Sequence, residues 1–302
     1  MLRLAAALAL LIPVYWQSRV QSADLASHIY NAWLALQVER GELPGLYFAS
    51  QTTNILFDLL LVKLLAVLSP SWTERIAVSL SVLVFCGGAW AAVRRVAGRF
   101  PLYFLPLLAM LSYGFVFRLG LFNFYLGLGF ALWALALVWP PVTRDGSWKA
   151  LPLAALCWTC HALPFVWLVS VAAYAHLGAR LRPRRRPWLM VASLGCVVAV
   201  ACFVHFQMTS QWLPGQPLMT TGADQAMLYG ARYKYIVLAW ILLQVSLVVV
   251  LTDRVGTARL LFSLPFPICV LHAAVLALVP TYIWIPGYDT PFSMFAERMG
   301  LA

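Results

Sequence analysis

Three polar side chains near the start of the chain have the types and spacing for proton transfer. Asp24, His28 and Asn31 fall at i, i+4 and i+7, so on a helix they share one face. A carboxylate and an imidazole one turn apart on such a helix would both turn toward water or a substrate. Leu25, Ile29, Trp33 and Leu36 form a neighbouring apolar stripe, which predicts an amphipathic helix resting on a membrane surface. Ser22 is expected to cap its first turn, and Gly41 with Pro44 to end it.

Other polar residues lie in apolar surroundings, where burial makes them functional candidates. Asp58 and Lys63 are five apart, a spacing that does not favour a helical pair. Arg118 and Asn123 flank Gly120, which lets two helix ends approach closely. His161, His205 and His272 are each embedded in apolar sequence, where a hydrogen-bonded structural role competes with a functional one. Farther on, Asp224, Tyr229, Arg232 and Lys234 occupy a polar stretch whose cations can anchor the chain at an interface or hold a phosphate.

Cys157, Cys160 and His161 spell C-x-x-C-H, the attachment signature of c-type haem. That chemistry needs accessible thiols and a second axial ligand, whereas this pentapeptide sits inside an apolar run, so haem is disfavoured. Zinc is disfavoured further, because no fourth ligand lies nearby. The cysteines at 86, 157, 160, 196, 202 and 269 all fall in apolar segments, and no disulfide framework is expected.

The elements that position these residues belong in a bilayer. Hydrophobic residues make up 63% of the 302, charged residues 10%, and the mean hydropathy is +0.84, values that exclude an ordinary soluble domain. The net charge of +11 does not imply nucleic acid. Its one dense cluster, Arg180, Arg182, Arg184, Arg185 and Arg186, sits between apolar runs as a cytoplasmic loop does, or as an anionic lipid site would.

The expectation is an all-α polytopic bundle forming a single domain over 1–302, with nine apolar runs. They lie at 2–16, 54–68, 76–93, 101–117, 121–139, 150–177, 188–206, 235–251 and 260–285. The first is read as an uncleaved helix starting in the cytoplasm, which puts loops 17–53 and 207–234 outside and 178–187 inside. Simple alternation then strands Arg94, Arg95 and Arg99 outside. Either these arginines serve a lipid phosphate, or a neighbouring run is a hairpin that does not span, with 150–177 the candidate because His161 and Pro164 break it.

This layout, with the segments DLASHIYNAW, QTTNILFD, GLFNFYLGLGF and CHALPFVW, resembles the GT-C superfamily of integral membrane glycosyltransferases and an uncharacterised bacterial multi-span group of that architecture. The resemblance implies a protein of the bacterial inner membrane that moves a sugar from a polyprenyl-phosphate-linked donor to an acceptor on the outer face. It matches Asp24 to the family's early acidic residue, which acts as base or helps bind a divalent metal. His28 would assist it, Arg118, Arg232 or Lys234 would meet the leaving phosphate, and Asn123 and His161 would bind substrate. Asp24 is followed by Leu25 rather than a second acid, and relatives continue beyond the point where this chain stops, which implies a shortened form. A protein that binds or carries polyprenol phosphate without chemistry is the alternative.

Overall fold

The computed structural model describes residues 2–48, 50–99, 104–141, 144–227, 234–287 and 291–302. The chain is mostly helical and divides into two compact units, 1–172 and 173–302.

The first unit holds α1 (Leu2–Tyr15), α2 (Leu25–Glu39), α3 (Leu56–Leu65), α4 (Pro70–Ala97), α5 (Leu105–Ser112), α6 (Phe115–Leu119), α7 (Phe122–Val138) and α8 (Arg144–Cys160). The next helix, α9 (Ala162–Arg180), runs from it into the second unit. Helix α4 is the spine, and half of its most apolar stretch is buried inside the protein. It packs along α7 through small residues: a Cβ on Gly129 would stand 2.8 Å from the Phe85 backbone nitrogen. Helices in lipid gain little from apolar burial against one another, so such close backbone approach supplies the van der Waals contact that joins them. Fully buried Tyr125 completes this seam, its ring 4.6 Å from Phe85 and its hydroxyl donating to the Ser112 carbonyl at 3.0 Å.

The loop after α1 is tied to the start of α4. Buried Glu74 accepts from Arg19 Nε at 2.9 Å and from the Val20 backbone N–H, and Arg75 Nη2 donates back to the Gln17 carbonyl at 3.0 Å.

The second unit continues through a 3-10 turn, Pro183–Arg185, into α10 (Arg186–Gln207), β1 (Thr209–Gln211), α11 (Gln216–Met219), α12 (Asp224–Met227) and α13 (Lys234–Val255). It ends with α14 (Thr257–Phe262), α15 (Pro265–Leu278), β2 (Tyr282–Trp284) and α16 (Phe295–Met299). Strands β1 and β2 form an antiparallel ribbon with Thr209 opposite Trp284, Ser210 opposite Ile283 and Gln211 opposite Tyr282. Buried Gln216 caps the end of α15, donating from Nε2 to the carbonyls of Leu276 and Val279 at 2.7 and 2.6 Å. Asp224 and Glu297 are both buried, linked through Gln225, whose Nε2 donates to Asp224 Oδ2 at 2.8 Å and to the Glu297 carbonyl at 3.1 Å.

Among the described residues four helices are long and apolar enough to cross a membrane: α4, α9, α10 with its preceding turn, and α13. Only 6% of the apolar stretch of α10 and of α13 is buried inside the protein, so both turn their Val and Leu side chains outward, as lipid-facing helices do.

Three sequence expectations change. The run 54–68 yields only the ten-residue α3, whose rise of roughly 15 Å is about half a hydrocarbon core. The run 150–177 is two helices, because the chain breaks at His161 between α8 and α9. Ser22 does not cap α2, since its hydroxyl donates instead to the Phe117 carbonyl at 2.8 Å. Helix α2 does stop at Glu39, with Gly41 at φ +73° beyond it.

Candidate functional site

Four chain segments meet in the first unit, each held by backbone or buried hydrogen bonds. The entry to α2 pairs with the α6–α7 joint, where the N–H groups of Ala23 and Asp24 donate to the carbonyls of Arg118 and Leu119 at 2.7 and 3.0 Å. The entry to α3 lies against the end of α8, with Ile55 N–H donating to the Thr159 carbonyl at 3.0 Å and Thr53 Oγ1 to the Trp158 carbonyl at 2.6 Å. Gly120 makes the first approach possible. It has φ +83°, and a Cβ there would stand 2.7 Å from the Asp24 nitrogen, so both the turn and the contact require glycine.

Asn123, in the first turn of α7 and buried, joins α3 to this cluster. Its Oδ1 accepts from Phe57 N–H at 2.8 Å and so satisfies one of the orphan donors at the start of α3. Its Nδ2 donates to Asp58 Oδ2 at 2.7 Å and to the Asn54 carbonyl at 3.3 Å. Both polar atoms of Asn123 are thus directed at the chain's own groups, and Asp58 is oriented by them. The second oxygen of Asp58, Oδ1, accepts from His28 Nδ1 at 2.6 Å.

His28 is therefore held by Asp58 rather than by Asp24. Burial of the ring opposes its charged form. The hydrogen bond and charge of Asp58, the charge of Asp24 and a backbone hydrogen bond at Gly120 outweigh that, and the pKa stands above the ordinary 6.5. The Phe57 ring meets the imidazole edge to face at 5.6 Å and covers it on the side of α3.

Asp24 is the N-cap residue of α2 and its side chain is exposed. Its position is set by its backbone, pinned on the α6–α7 joint, one helical turn before His28. Arg118 is exposed at the same joint, while Asn31 is exposed farther along α2. His161 sits at the α8–α9 break, its Nδ1 accepting from Leu163 N–H at 3.1 Å and its ring 5.7 Å from Phe124.

The remaining candidates lie elsewhere. Lys234 opens α13 in the second unit, exposed, with Nζ 5.2 Å from the centre of the Tyr235 ring. Arg232 and Tyr229 fall outside the described residues. His205 meets Phe206 edge to face and Trp212 at a tilt, and His272 Nε2 donates to the Met299 carbonyl at 3.0 Å, which is a structural role. Cys157 and Cys160 are both fully buried, and a Cβ on Gly127 would lie 2.9 Å from Cys160 Cβ, so both belong to the close packing of α8 on α7. Among the described residues no three His, Cys, Asp or Glu side chains are grouped as a metal ion would need.

Asp58 is the residue whose role the sequence obscures. Its spacing to Lys63 drew attention along the helix, whereas its partners, His28 and Asn123, come from two other helices. The signal was the polar run Gln51–Asn54 just ahead of α3.

The arrangement sets an imidazole, held by Asp58, one turn from an exposed carboxylate, at the joint whose backbone also carries exposed Arg118. No known protein family, no curated protein and no solved structure matches this chain.

Proposed function

We propose that the chain is a multi-pass membrane glycosyltransferase that takes a sugar from a polyprenyl-phosphate-linked donor. The observation that carries this reading is the convergence of the four stretches behind the GT-C resemblance: Asp24 and His28, then Asn54 to Asp58, then Gly120 to Phe124, then Cys160 and His161. In this reading exposed Asp24 is the general base for the acceptor hydroxyl. His28, held by Asp58, stands one turn away, and Arg118 meets the leaving phosphate.

The membrane path of the first unit supports the same placement. Because α3 is too short to cross, α2 and α3 share the outer side, and α4 is the crossing that follows. Arg94, Arg95 and Arg99 then fall inside, in keeping with the positive-inside rule, and the conflict left by simple alternation disappears. Arg95 Nη2 donates to the Trp139 carbonyl at 3.0 Å, so the far ends of α4 and α7 lie together. With the shorter α5–α6 pair, α7 and α8 also crossing in this reading, the joints at Arg118–Gly120 and Thr159–His161 return to the outer side.

The test is sugar transfer by the purified chain from a prenyl-phosphate-linked donor. Asp24→Asn should leave expression and folding intact and abolish transfer, whereas transfer at the wild-type rate would remove Asp24 from the mechanism. Donor that binds with no product from the wild type would instead favour the non-catalytic carrier.

A further inference from the structure

The dense arginine run of the second unit plays no part in that chemistry. Between α9 and α10 the chain reads Arg180, Leu181, Arg182, Pro183, Arg184, Arg185, Arg186, Pro187, Trp188. Arg186 is committed to the fold. Its Nε donates to the Gly178 carbonyl at 2.8 Å and its Nη1 to the Phe262 carbonyl at 2.7 Å, which staples the last turn of α9 and the end of α14 to the start of α10. The 3-10 turn before it, set by Pro183, is therefore fixed at both ends, and Arg182, Arg184 and Arg185 stand exposed on it. Among the described residues none of the three pairs with a carboxylate. Helix α14 packs on this turn and adds exposed Arg259.

The face of α10 that continues from this turn is apolar and open. Trp188, Val191, Gly195, Val198 and Cys202 follow one another at spacings of three and four, so they line a single stripe. All five are exposed, with Trp188 at 73% and Val191 at 53%. At Gly195 a Cβ would meet nothing within 4 Å, so the stripe has a notch in the middle. A rigid cationic turn thus sits directly above an apolar groove on one helix, with an indole at the junction, where such rings mark the headgroup level. A free anion needs the first of these and has no use for the second.

We propose that this end of the second unit binds an anionic membrane lipid, with Arg182, Arg184 and Arg185 on the phosphate and an acyl chain laid along Trp188, Val191, Gly195 and Val198. Juxtamembrane arginines attract acidic headgroups at roughly a factor of five in affinity each, so removing three should weaken retention on the order of a hundredfold.

The experiment uses the full-length chain in neutral detergent and native mass spectrometry. Phosphatidylglycerol is titrated against phosphatidylcholine, with glycerol phosphate as a soluble competitor. The wild type should retain phosphatidylglycerol selectively. Arg182→Gln/Arg184→Gln/Arg185→Gln should lose that selectivity while keeping its helical circular dichroism. Gly195→Phe, which fills the notch and leaves the charge unchanged, should also weaken retention. Selectivity unchanged in the triple variant overturns the proposal. Displacement by glycerol phosphate at the same concentration as the whole lipid also overturns it, because a headgroup alone would then account for binding.

Discussion

His28 Nδ1 donates to Asp58 Oδ1 at 2.6 Å across 30 positions of sequence, and this pair joins α2 to α3. Since the folded-state pKa of His28 is raised above 6.5, the pair's contribution to stability is fully present below pH 6.5 and is lost as pH rises through the raised value. Asp58→Asn removes the first two of the four attractions that oppose burial, so the His28 pKa should fall and that pH dependence should flatten. Histidine NMR titration in micelles reads the first effect, and thermal unfolding across pH 5–8 the second.

Asn123→Leu fills the same space without the amide. It leaves the buried Phe57 N–H without its acceptor and Asp58 Oδ2 without its strongest donor. Each lost partner costs about 1–3 kcal/mol. A lowered unfolding temperature with a reduced His28 pKa shift is expected, and an unchanged His28 titration would show that Asp58 is oriented by something else.

Gly120→Ala combines a left-handed backbone with a contact at the Asp24 nitrogen. The conformational penalty alone is about 1–2 kcal/mol. The greater effect should be on transfer, because the displaced backbone carries Asp24 with it; kcat should drop more than the unfolding temperature suggests.

The path proposed for the first unit can be read by thiol labelling. In a background with the six native cysteines replaced, Glu42→Cys should react with a membrane-impermeant maleimide on intact cells, and Ala97→Cys only after lysis. Labelling of Ala97→Cys on intact cells would put the end of α4 outside and return α3 to the status of a span.

Asp224, in the second unit, gives a pH effect of opposite origin. Burial first, and the nearby charge of Glu297 second, push its carboxyl up to about 7 from the usual 3.8. The folded state binds the proton more tightly than the unfolded chain, so stability falls as pH rises from 4 to 7 and stays low above that. At about 1.4 kcal/mol per unit the loss is on the order of 4 kcal/mol. Asp224→Asn should remove it, and the variant should melt above the wild type at pH 8 and close to it at pH 4.

Helix type was legible from periodicity and Gly41 stops α2, but of its expected apolar stripe Leu25 and Ile29 are buried while Trp33 is 46% exposed. The length of α3 was not. Residues 54–68 are uniformly apolar apart from Asp58 and Lys63, and hydropathy does not reveal that the helix ends at Leu65, ahead of Pro70. The split of 150–177 was half visible, since His161 marked a break but periodicity cannot distinguish a kink from two helices. Candidate residues were found one at a time as polar groups in greasy sequence. Their grouping depends on long-range pairing of α2, α3 and α7, and no local pattern encodes that.

The rungs joining Thr209 with Trp284 and Gln211 with Tyr282 have a topological result. Everything from Trp212 to Thr281 departs from and returns to one narrow seam, whose opposite Cα atoms are about 5 Å apart. That stretch is an excursion rather than a link. The end of α10 and the end of α15 are thereby closed onto one another, although most of the second unit's helices lie between them in sequence.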